Sequence, residues 1–185
     1  MFPQVNMLFA EMETEMPELG RHGLAVAHLA DELVIGTQAE VGSWEMEAAA
    51  MLHDYGKILW PAKLFFKNRR DLSRRDLEII SSHPQVGRRI VTVRWPKCSR
   101  NILRLIESHH DPGGWFPAQV LAICDVWVAC HEDRIYRRKA VPERDVLQEM
   151  LRVAPERVVN LLLDTVRHEA MCAAITIGEH HAISF

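Results

Sequence analysis

Between Ala118 and Cys130 the sequence reads AQVLAICDVWVAC, apolar on nearly every face of a helix, with one carboxylate, Asp125, in its midst. A helix that is apolar all round must be surrounded by other elements, so this segment is expected at the centre of the fold. A carboxylate there is costly unless a cation or a metal partners it. Taken alone, Asp125 could pair with Arg134 or Arg137.

The rest of the chain supplies helices to surround that segment. Pro17 suits a first helical position, after which Leu19, Ala25, Val26, Leu29, Leu33 and Val34 recur at mixed three- and four-residue steps, with Gly36 as a stop. Ser43 is expected to cap a second helix, which carries Glu45 and Glu47 in its first turn and runs to His53-Asp54 before Gly56 ends it. Residues 57–71 read as a loop. Ser73 with Asp76 resembles a capping box opening a short helix through Ile79 and Ile80. Pro84 is expected to break that run and start the next helix, and Pro96 to break it again. Ile102 to Ile106 lead to His109-His110 and to the turn Asp111-Pro112-Gly113-Gly114. Pro142 and Pro155 each suit the opening of a further helix. With no strand alternation and no repeat, the expectation is all-α. The reading gives one domain over 17–175, with a lead segment 1–16 and a tail 176–185.

Composition excludes several classes. A chain of 185 residues can bury a core without staples. Hydrophobic residues at 48% and charged residues at 25% exclude a disordered chain. A net charge of -3 does not suit a general nucleic-acid binder, so no DNA partner is expected. The cysteines at 98, 124, 130 and 172 form no CxxC pair, which fits reduced thiols. The acidic start does not resemble a signal peptide. No apolar run reaches the roughly 20 residues of a membrane-spanning helix. A soluble cytoplasmic protein without a membrane partner is expected.

The 10 histidines matter through their placement. Glu18 and His22 are four apart and so share a helix face. His53-Asp54 and His109-His110 stand at helix ends, His83 at the proline, and Asp125 in the apolar helix. Together these imidazoles and carboxylates suit borderline-hard metals such as iron, manganese or zinc. Cysteine takes no part, which disfavours a structural zinc site.

The order of these residues resembles the HD superfamily of metal-dependent phosphohydrolases, and within it the HD-GYP phosphodiesterases that hydrolyse cyclic di-GMP. The carrying strings are LHDYGKI at 52–58, SSHPQVG at 81–87, SHH at 108–110, CDVWVA at 124–129 and EDRIYRRKA at 132–140. The resemblance implies an HD-domain helical bundle with a metal site in its core. It assigns His53, Asp54, His83, His109, His110 and Asp125 as metal ligands. Glu18 and His22 fall on first-helix positions, where members that hold three metals carry the additional glutamate. Asp54 and Lys57 become the catalytic pair, Lys57 facing phosphate, and Arg134 and Arg137 fall on positions that contact substrate phosphates. Two or three divalent metals are implied, iron or manganese first, with zinc, nickel or magnesium as alternatives. The implied substrate is a cyclic dinucleotide, cyclic di-GMP foremost. Other nucleotides or phosphate esters, and a catalytically degenerate signalling module, are the alternatives. A homo-oligomer or a signalling-protein partner would be in keeping.

The chain departs from that pattern at the loop after the paired histidines. The family carries a long Gly-Tyr-Pro loop there, and this chain has only DPGGWFPAQ. Gly114-Trp115 stands as its remnant, and Trp115 is a candidate for stacking on a base, although packing is the ordinary role of a tryptophan. The chemistry itself is coherent. Phosphodiester hydrolysis needs a strong nucleophile and charge neutralisation, which two metals about 3.5–4 Å apart supply. A carboxylate such as Asp54 can bridge two metals, Lys57 is within reach of a phosphoryl or leaving oxygen, and Arg134 and Arg137 share a helical face suited to phosphate.

Overall fold

The computed structural model describes residues 3–35, 40–132 and 141–168. Gly36 and the 176–185 tail lie outside the described residues. Among the described residues there is no strand, and the chain is all-α as expected. The helices are α1 (Pro3–Glu15), α2 (Pro17–Ile35), α3 (Ser43–Leu52), α4 (Arg74–Arg94), α5 (Arg100–Ser108), α6 (Phe116–His131), α7 (Glu143–Val153) and α8 (residues 156–168). Three short 3-10 turns, Tyr55–Leu59, Ala62–Phe66 and Arg69–Asp71, occupy the segment expected as a loop.

Helix α6 takes the central place that its composition demands, packing on α2, α3, α5 and α7. The run from Pro117 to Cys124 and Val128 are buried. Helix α2 lies against α1, α3 and α6, while α4 lies against α5 and the turn at 55–59. Leu33, Leu52, Ile102, Leu105, Ile106, Leu121 and Ile123 fill the space between them. Each such side chain contributes about 1.5–3 kcal/mol through the apolar area it removes from water.

Three local expectations are corrected. Helix α3 is capped by Gly42 rather than Ser43: the Gly42 N–H donates to Glu45 Oε2 at 3.2 Å, and the Ser43 hydroxyl turns to Asp31 instead. Helix α1 has no counterpart in the sequence reading, although Val5, Leu8, Phe9 and Met12 form a buried stripe at helical spacing. Pro84 does not end a helix. It sits inside the continuous α4, whose start is fixed as expected by the Ser73–Asp76 capping box.

One close approach sets the position of the site. A Cβ built on Gly56 would lie 2.1 Å from the His83 carbonyl oxygen and 2.8 Å from the Gly87 nitrogen, so only glycine lets the turn after α3 rest on α4. Beside it, the fully buried Tyr55 donates its hydroxyl proton to Glu11 of α1 at 3.0 Å, and Arg94 of α4 donates to the Tyr55 oxygen at 3.2 Å. Burial and Glu11 push the Tyr55 phenol up to about 12, so it remains a donor. Glycine and tyrosine together pin the segment that follows His53 and Asp54.

Candidate metal centre

Five helices aim polar side chains into one buried space. His22 comes from α2, His53 and Asp54 from the end of α3, and His83 from the middle of α4. His109 and His110 come from the end of α5, and Asp125 from α6. Among the described residues, three overlapping groups have their ligand atoms within 4.8 Å of one another: His83, His109 and His110; His22, His53 and Asp125; and His53, Asp54 and His109. His22, His53, Asp54, His83 and His109 are all buried. His110 is more exposed.

Helix ends decide which ring nitrogen faces the cluster. His53 and His109 are the C-caps of α3 and α5. The carbonyls of Ala50 and Ile106, three residues earlier, belong to last turns that lack helical N–H partners. The Nδ1 of His53 lies 2.7 Å from the Ala50 oxygen, and that of His109 lies 2.7 Å from the Ile106 oxygen. A carbonyl only accepts, so each Nδ1 carries the proton and each Nε2 presents a lone pair to the site. His83 reaches the same state mid-helix. Pro84 has no N–H for the Ile80 carbonyl, and the His83 Nδ1 donates to that carbonyl at 2.6 Å. Thus three imidazoles from three helices hold one tautomer for one reason.

Their lone pairs converge on acceptors. The Nε2 atoms of His83 and His109 are 3.2 Å apart, and His83 Nε2 lies 3.1 Å from Asp54 Oδ1. His53 Nε2 stands 3.5 Å from Asp54 Oδ2 and 3.8 Å from Asp125 Oδ1. With the ring protons at Nδ1, none of these approaches is a hydrogen bond. His53 Nε2 and Asp54 Oδ1 are indeed buried without a hydrogen-bond partner. Buried lone pairs facing one another are unfavourable unless a cation lies among them. Two nitrogens that bind one metal at about 2.0–2.1 Å each stand roughly 3 Å apart. The spacing and the mixed nitrogen and oxygen donors therefore fit divalent metal.

Charge is distributed to match. Burial alone would raise the Asp54 carboxyl, but the Lys57 ammonium, 2.5 Å from Oδ2, leads the groups that hold it well below the usual carboxylate range. Burial pushes His109 well below its ordinary value, so it stays neutral and able to ligate. His22 differs. Its Nε2 is 2.9 Å from Asp125 Oδ1 and its Nδ1 is 3.0 Å from Glu132 Oε2. Burial works against its charge, but the two carboxylates outweigh it and lift the ring to about 9.

Seven of the eight ligands expected from the sequence come together: His22, His53, Asp54, His83, His109, His110 and Asp125. Glu18 belongs to the first turn of α2, one turn before His22; it is exposed and absent from the three ligand groups. Lys57 is beside Asp54, with its side chain partly exposed. Arg134 and Arg137 lie outside the described residues, and the partner found on Asp125 is His22. Trp115 is engaged within the fold: the Arg104 guanidinium lies 3.9 Å from its ring centroid, and its indole N–H donates to Glu40 at 3.3 Å. Sequence reasoning missed Glu132, and it also missed Trp60, whose ring meets His83 edge-on at 5.6 Å and takes Lys57 Nζ at 5.5 Å.

Known proteins share this arrangement of helices. A family model described as HD domain matches residues 19–154. No curated protein matches the sequence. Among solved structures, the chain is similar to the HD domain of the L. monocytogenes phosphodiesterase PgpH, with a TM-score of 0.63 and 15% identity over 91% of this chain and 98% of that one. The same domain in complex with cyclic-di-AMP gives a TM-score of 0.64 and 16% identity over 86% and 92%. Bd1817, a HDG"Y"P protein from Bdellovibrio bacteriovorus, gives 0.61 and 19% identity, covering 80% of this chain and 52% of that one. At these identities the likeness is one of fold.

Proposed function

The chain belongs to the HD domain family, and on that premise we propose that it is a metal-dependent phosphodiesterase acting on a cyclic dinucleotide, with cyclic di-GMP first among candidates. One observation carries the reading: the backbone fixes three imidazoles with their Nε2 lone pairs crowded around Asp54. Each of those rings has one nitrogen left, so each can serve one cation. Two cations would divide the overlapping groups between them, one held by His22, His53 and Asp125, the other by His83, His109 and His110. Asp54, with two oxygens directed at different histidines, would serve both. Glu18 is the carboxylate one turn away for a third.

Iron or manganese suits this donor set, and such metals when bound supply a nucleophile at neutral pH and charge for the phosphoryl oxygens. The chain's own residues do the rest. Asp54 stays ionised because Lys57 neutralises it. Lys57, partly exposed at the rim, can hold a phosphoryl oxygen or deliver a proton to the leaving oxygen. Arg134 and Arg137 are proposed to grip the substrate phosphates.

The motif order favours the guanine dinucleotide, whereas the fold likeness to a domain solved with cyclic-di-AMP favours the adenine one. Incubating manganese- or iron-loaded protein with each dinucleotide, followed by chromatography, tests both. Conversion of either to a linear product supports the reading. If both dinucleotides and an aryl phosphodiester remain intact, the enzyme reading fails, and binding without turnover would mark a signalling module.

A further inference from the structure

Of the four buried histidines in the centre, His22 alone lies in a helix interior with no free carbonyl behind it. His53 and His109 use carbonyls at helix ends, and His83 uses the one that Pro84 leaves open. In α2 the carbonyls of Glu18 and Leu19 are engaged by the helical N–H groups of His22 and Gly23. His22 therefore needs an acceptor from elsewhere, and Glu132 provides one at 3.0 Å. Glu132 is the C-cap of α6, two helical turns beyond Asp125, so both carboxylates lie on the face of α6 that packs on α2. One reaches each nitrogen of the same ring.

We propose that Glu132 is a positioning residue of the metal centre: its carboxylate accepts the hydrogen bond of the His22 Nδ1–H and thereby aims Nε2 at a cation shared with Asp125, which would displace the proton that Nε2 shares with that carboxylate. It does for His22 what backbone carbonyls do for the other three rings. A carboxylate acceptor also makes the imidazole a stronger donor to metal than a carbonyl would. The assignment rests on His22 being a ligand, as proposed above.

The test measures metal binding rather than turnover. Metal-free full-length protein is titrated with Mn2+, free ion being read by electron paramagnetic resonance, and with Co2+, read by its visible absorption. Wild type is compared with His22→Ala, Glu132→Ala and Glu132→Gln. Glu132 is partly exposed at a helix end, so these variants are expected to fold, which circular dichroism verifies. Glu132→Ala should weaken the His22-side metal about 10–100-fold and change the Co2+ spectrum. Glu132→Gln, which keeps an acceptor oxygen without the charge, should recover part of the loss. If His22→Ala weakens binding while Glu132→Ala matches wild type in affinity and spectrum, the positioning role is wrong and the ligand set stands. If His22→Ala itself binds like wild type, His22 is no ligand and both readings fall.

Discussion

Gly56 lies so close to His83 that a Cβ added to it would fall 2.1 Å from the His83 carbonyl oxygen. Both obstacles on that side, the His83 carbonyl and the Gly87 nitrogen, are backbone, so relief requires the turn at 55–59 and α4 to move apart. That movement separates His83 from Asp54. Gly56→Ala is expected to lower stability by about 1–3 kcal/mol or more and to reduce bound metal. Denaturant unfolding and metal analysis check it; a variant with wild-type metal content would show that the contact does not hold the site together.

Asp54 and Lys57 should separate by assay. Asp54→Ala removes the carboxylate on which His53 and His83 converge and is expected to lose both metal and hydrolysis. Lys57→Ala is expected to retain metal, because Lys57 is not itself a ligand and bound cations would keep Asp54 ionised in its place. Turnover should fall on the order of 10²–10⁴ if the ammonium serves as general acid. Metal analysis beside a phosphodiester assay decides, and loss of metal from the Lys57 variant would contradict the division.

Acid should weaken α4 at its start. The Asp76 carboxyl is held well below its ordinary value by Lys67, whose Nζ is 2.6 Å away, and by the hydroxyl and N–H of Ser73. A carboxyl depressed in the folded state stabilises above its unfolded value of about 3.9, and the benefit fades as pH falls below that. The gap in melting temperature between wild type and Asp76→Asn should therefore be widest near neutrality and narrow below about pH 4. A gap constant with pH would exclude the ionised cap as its source.

Tyr55→Phe keeps the buried ring and removes the hydroxyl that joins Glu11 to Arg94. The loss is expected to cost about 1–3 kcal/mol, because both partners are charged. Chemical denaturation measures it. No change would mean that the Glu11–Arg94 ion pair alone ties α1 to α4.

The candidate ligands were legible because most sit in short strings with a fixed order, and the structure brings the side chains of His53, Asp54, His83, His109, His110 and Asp125 close together. Glu132 was not legible: its partner His22 is 110 residues away, and nothing local marks a carboxylate at the end of α6 as an acceptor. Helix α1 had its signal in Val5, Leu8, Phe9 and Met12, but Glu11, Glu13 and Glu15 interrupt it and no polar cap announces it. The segment at 57–71 folds into 3-10 turns too short to show a period. At Pro84 the local rule was sound and the context overrode it, since the carbonyl that a proline orphans found a side-chain partner.

That proline carries a lesson for anyone seeking a hardier variant. By propensity it is the worst residue for the interior of α4, and replacing it with alanine would score as a gain of about 3 kcal/mol. The new amide would compete with the His83 ring for the Ile80 oxygen, and the imidazole would be freed to turn or to change tautomer. Selection for thermal robustness alone would therefore tend to erase the feature that fixes the orientation of the His83 ring, and α4 is a helix whose one imperfection falls where the proposed metal centre lies.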